Sequence, residues 1–96
     1  MKMIMITYNE AMDDEVMDAI ASVPIKNYTK TTGAFGRGET SGTHMGNDIW
    51  PGLNNMIYIA CDEKESKELL VKIIALRKDF GKEGIKAFLL PLEDLT

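Results

Sequence analysis

Asn54-Asn55-Met56-Ile57-Tyr58-Ile59-Ala60-Cys61-Asp62-Glu63-Lys64-Glu65 is the stretch on which the fold turns. Met56 to Ala60 is an unbroken apolar run rich in β-branched and aromatic side chains, so Asn54 to Cys61 predicts a strand. Asp62 then stands three residues before Glu65, the spacing at which two side chains cap a helix start reciprocally. Beyond it Leu69, Leu70, Ile73, Ile74 and Arg77 recur at helical spacing, with Lys64, Lys67, Lys72 and Lys78 turned to water. Gly81 or Gly84 closes that helix. Ile85 to Leu92 predicts a last strand, with Pro91 at its edge or end because proline has no N–H for a ladder.

Upstream, the same elements recur. Met3 to Tyr8 predicts a short strand buried on both faces or nearly so. Asn9, or an acid just after it, caps a helix carrying Met12, Val16, Ala19 and Ile20 to about Ser22, which Pro24 ends. Glu10, Asp13, Asp14 and Glu15 read as a solvated helix start, where the helix dipole favours negative charge. Ile25 to Phe35, with Tyr28, Thr29, Thr31 and Thr32, predicts a second strand. The order β-α-β-β-α-β predicts an α+β, ferredoxin-like sandwich: a four-stranded antiparallel sheet with two helices on one face. Its other face stays open, and an open apolar face packs against something.

The 96 residues are the length of one domain, and residues 1–96 are read as a single unit. Eleven Lys and Arg against 15 Asp and Glu leave a net charge of −4, which argues against a general grip on nucleic acid. One cysteine excludes an intrachain disulfide framework and points to a reducing cytoplasm. No apolar run approaches the roughly 20 residues of a membrane span, so no insertion is expected.

Glycine is distributed unevenly. Six of eight lie between Gly33 and Gly52, and Gly36 to Gly52 spans 17 residues where a short hairpin would serve. Loops beyond about 12–15 residues in compact domains are commonly functional or disordered. This one carries Arg37, Glu39, His44, Asp48 and Trp50, including the only histidine and the only tryptophan. Either Trp50 folds back on the body, or the loop orders on a ligand or partner with Trp50 as an anchor. Gly33-Ala34-Phe35-Gly36-Arg37-Gly38-Glu39 is a candidate anion-binding run: glycines let backbone N–H groups face a phosphate, and arginine adds a bidentate contact. It is neither a Rossmann fingerprint nor a P-loop, and a glycine-rich hairpin base explains it as well. Phe80 to Lys86 is a second such run, in which Lys82 or Lys86 could meet a phosphate, though a helix cap and a turn explain it better. No nucleophile–base pair is indicated, and Cys61 reads as a small apolar residue. A metal would find His44, Asp48, Glu39 and Cys61, without diagnostic spacing.

With those residues in place, the chain resembles the PII family of signalling proteins. The resemblance rests on the element order, the Met-Lys-Met-Ile opening, Ala34-Phe35-Gly36-Arg37-Gly38 before the long loop, and Glu83-Gly84-Ile85-Lys86 before Ala87-Phe88-Leu89-Leu90-Pro91-Leu92-Glu93. It implies a homotrimer that binds an adenine nucleotide (ATP, ADP or AMP) between subunits and regulates a transporter or enzyme through a T-loop-like segment at about 36–52. Gly36, Arg37 and Gly38 would line the phosphate side, Gly84 and Lys86 would meet phosphates from the family's B-loop, and Thr29 would approach the adenine. Glu39, His44, Asp48 and Trp50 would face the partner. Gly38 stands where the family has a glutamine that helps hold 2-oxoglutarate, and the loop has no tyrosine for uridylylation. The family's C-terminal arginines have no counterpart before Thr96. The related CutA trimers offer an alternative, metal binding between subunits through His44 with Asp48 or Glu39.

Overall fold

A computed structural model describes residues 1–36, 53–80 and 84–96, the side chain of Phe80 excepted. The elements are β1 (Lys2–Asn9), a 3₁₀ turn (Glu10–Met12), α1 (Asp13–Ala21), β2 (Thr29–Phe35), β3 (Leu53–Cys61), α2 (Glu63–Phe80) and β4 (Ile85–Pro91). The strands form one sheet in the order β2-β3-β1-β4, every neighbouring pair antiparallel. This is the βαββαβ order expected of a ferredoxin-like sandwich.

The core follows from the two-residue period of the strands. Ile4, Ile6 and Tyr8 of β1 lie opposite Ile59, Ile57 and Asn55 of β3, and all six are buried. Val16, Ala19 and Ile20 of α1 and Ser66, Leu69 and Ile73 of α2 close over them at helical spacing. The alternate residues of the same strands face away from the helices. β1 is therefore buried on one face and half-buried on the other, close to the expected burial on both faces or nearly so.

Local chemistry sets the helix starts. The Asn9 side-chain oxygen accepts from the Ala11 N–H at 2.9 Å, capping the 3₁₀ turn. At α2 the Glu65 N–H donates to Asp62 Oδ1 at 2.7 Å, and the Asp62 N–H donates to Glu65 Oε1 at 3.0 Å. That is the reciprocal cap read from the sequence.

Three expectations need correction. The second strand begins at Thr29, not Ile25; Ile25 is apolar because it packs into the core ahead of the strand. Ile74 is 62% exposed, because α2 turns Leu69 and Ile73 inward and Ile74 lies past the edge of that stripe. Asp13 is not simply a solvated helix start. Its Oδ1 accepts from the Tyr8 hydroxyl at 2.6 Å and from the Asn55 amide at 3.1 Å, and it pairs with the Lys30 ammonium at 2.6 Å. One carboxylate oxygen thus ties the start of α1 to β1, β3 and β2.

The Lys30 and Tyr8 hydrogen bonds hold the Asp13 carboxyl below the ordinary aspartate range. Burial, followed by the Asp13 contact, pushes the Tyr8 phenol well above its usual value. A carboxyl depressed in the folded state stabilises the fold above its unfolded pKa of about 3.9, and that contribution is lost as pH falls through the lower folded value. Asp13→Ala strips a partner from the buried Tyr8 and Asn55 groups and is expected to lower the unfolding free energy by about 1–3 kcal/mol. In urea titrations the gap from the parent protein should hold steady above about pH 5 and narrow in stronger acid.

Candidate functional site

Gly36 and Gly84 stand at the same end of the sheet. Gly36 follows β2, whose last residues Ala34 and Phe35 pair with Asn54 and Leu53. Asn54 also pairs with Asn9, while Tyr8 pairs with Ile85, the residue after Gly84. One end of the sheet therefore carries both glycines. They sit on opposite edges, three interstrand steps apart, or about 14 Å at the usual spacing.

Each of the two glycines has a close neighbour. The Asn9 N–H donates to the Gly84 carbonyl at 2.8 Å, and a Cβ on Gly84 would lie 2.7 Å from Met12 Sδ. At the other edge, the Asn54 side-chain amide reaches toward the Ala34 carbonyl at 3.5 Å, and a Cβ on Gly36 would lie 3.0 Å from the same nitrogen. Sequence reasoning did not single out Asn9, Met12 or Asn54 as site residues. The signal available was asparagine at a strand end, a residue type that strands disfavour.

Thr29 is exposed on β2 opposite Tyr58, on the sheet face away from the helices. Lys86 is exposed on the same face of β4, opposite Thr7, with its ammonium 5.9 Å from the Phe88 ring centroid. Within one chain Thr29 and Gly36 lie on the β2 edge, at opposite ends of that strand, while Gly84 and Lys86 lie together on the β4 edge, so the fold does not join the two sets. Arg37, Gly38, Glu39, His44, Asp48 and Trp50 lie outside the described residues. The face between the edges is apolar: Met3 and Met5 of β1, Met56 and Tyr58 of β3, and Phe88 and Leu90 of β4, the last two 42% and 40% exposed.

Among the described residues no group of three or more His, Cys, Asp or Glu side chains is disposed to hold a metal ion. Cys61 is buried, and burial, then Glu65 and Asp62, push its thiol up, away from the reactive thiolate. Among the described residues no helix is long and apolar enough to cross a membrane.

Gly33 contributes to the edge differently. It sits where the β2–β3 register shifts between Thr31 and Ala34, and its φ of 70° lies in the left-handed region. A Cβ there would meet nothing within 4 Å, so any cost of substitution is conformational. Gly33→Ala is expected to destabilise the fold by about 1–2 kcal/mol, read as a shift of the urea midpoint at constant slope.

Comparison with known proteins adds a family and a fold. Residues 1–96 match the family described as nitrogen regulatory protein P-II. No curated protein matches the chain in sequence. Among solved structures, CPII of Thiomonas intermedia K12 bound to ADP, AMP and acetate superposes with a TM-score of 0.68 at 18% identity, covering 93% of this chain and 82% of that one. The apo form of the same protein, a nitrogen regulatory PII-like protein, gives 0.69 at 17% identity, covering 92% and 84%. A Thermus thermophilus protein described as a PII-like signaling protein gives 0.58 at 18% identity, covering 92% and 82%. At these identities the likeness is one of fold.

Proposed function

The chain belongs to the nitrogen regulatory protein P-II family, and from that premise we propose that it is a cytoplasmic regulatory protein rather than an enzyme. It forms a homotrimer, binds an adenine nucleotide in the clefts between subunits, and passes the nucleotide state to a partner enzyme or transporter through residues 36–52.

The carrying observation is the placement of Gly36 and Gly84 at one end of the sheet on opposite edges. Residues about 14 Å apart cannot grip one phosphate within a chain. The β2 edge of one subunit set against the β4 edge of its neighbour brings them into reach. Gly36, Arg37 and Gly38 then line the phosphates from one side, Gly84 and Lys86 approach from the other, and Thr29 faces the base. Backbone N–H groups and two cations suit a polyphosphate. The apolar sheet face gives the subunits a surface to bury against one another. CPII, which shares the fold, was solved with ADP and AMP bound. Glu39, His44, Asp48 and Trp50 meet the partner.

Light scattering on the eluting protein should return three times the chain mass, and Phe88→Asp, which puts a charge on the packed face, should return the chain mass. Titration calorimetry with ATP, ADP and AMP should detect binding, with Arg37→Ala and Lys86→Ala each weakening it by about tenfold or more, the scale of one lost hydrogen bond to a charged group. Absence of heat with all three nucleotides at millimolar concentration rejects the nucleotide reading.

A further inference from the structure

The outer surface of the helix layer carries both signs of charge, sorted by helix. On α2, Lys64, Lys67, Val71, Ile74 and Lys78 are all exposed. Steps of three and four residues stack them into one ridge, on the side of the helix opposite the buried Ser66, Leu69 and Ile73. Val71 and Ile74 are 65% and 62% exposed at the middle of that ridge, with lysines beyond them at both ends. On α1 the outward residues are acids. Glu10, in the turn ahead of the helix, Asp14 and Asp18 follow one another in steps of four, and all three are exposed. Glu10 to Ala21 contains no lysine or arginine.

The two helices touch and cover the same side of the sheet, so the ridges lie beside one another on one face. No ion pair among the described residues takes up the charges of either ridge. We infer that this face docks on the same face of a second copy of the chain. A twofold axis between the two layers, parallel to the helices, sets α1 of each copy over α2 of the other, so one contact is made twice. The acids of one copy then meet the lysines of the other, and Val71 and Ile74 are covered. An anionic lipid surface suits the lysines but is repelled by the acids beside them. The apolar sheet face lies on the opposite side of the sheet, so this contact does not rest on the trimer or nucleotide readings above.

A contact made largely of exposed charges is small and reversible. Sedimentation velocity should therefore show a single unit at high dilution and a twofold heavier species as the protein is concentrated to about 1 mM. Raising salt from about 0.02 M to about 0.5 M, where charges are screened beyond about 4 Å, should abolish the doubling. Charge reversal supplies the decisive arm. Lys67→Glu with Lys78→Glu leaves both ridges acidic, and Asp14→Lys with Asp18→Lys leaves both basic. Each double variant alone should associate at least tenfold more weakly than the parent, and a mixture of the two should associate again. Simple loss of folding cannot produce that recovery. Phe88→Asp, on the other side of the sheet, should leave the doubling intact. A parent protein whose mass is unchanged up to about 1 mM in low salt overturns the inference, as does a mixture no heavier than its separate components. The unit at high dilution tests the trimer reading separately: three chains support it and one chain rejects it, while the doubling decides this interface in either case.

Discussion

Two helices can cover only one face of a four-stranded sheet, and most of this molecule follows from that limit. Alternation along β1 and β3 sends Ile4, Ile6, Ile57 and Ile59 under α1 and α2 with no exposure. The same alternation delivers Met3, Met5, Met56, Tyr58, Phe88 and Leu90 to the uncovered side. The two sets cannot be adjusted independently, because a one-residue slip in register would exchange them. An apolar outer face is thus built in by the same pairing that builds the core.

Much of the fold was legible because its signals are local. The Asp62–Glu65 spacing announced α2, and the apolar run before it announced β3. Asn9 declared the cap after β1, and Pro91 closes β4 as its lack of an N–H requires. What misled were apolar residues whose burial has a tertiary cause. Ile25 resembles the first residue of a strand, yet it is a plug that enters the core from the connection before Thr29. Ile74 fits the helical period but lies past the edge of the buried stripe, beside the exposed Val71.

Asp13 shows where sequence reading stops. An acid in the first turn of a helix is favourable wherever it points, so its position explained itself and nothing prompted a search for partners. Its partners Lys30 and Asn55 come from two other strands, and Asn55 is 42 residues away in sequence. The clue lay with the partner. An asparagine at an inward position of β3 needs something to bond, and a buried amide without a partner is costly. The glycines carry the same lesson. Their number marked both runs of the candidate site, but that Asn54 lies beside Gly36 and Met12 beside Gly84 is visible only in the folded packing.

The pairing of Phe35 with Leu53 has a consequence for how this protein can change. The two strands meet there at positions directly opposite one another, and β3 is paired with β1 from Asn54 to Cys61. Closing a longer excursion costs only about 0.6 kcal/mol per doubling of its length. Lineages can therefore lengthen, trim or replace everything between these two residues while the scaffold persists. For the same reason it is the place to splice a foreign module, such as a circularly permuted fluorophore domain, and obtain a chimera that still folds.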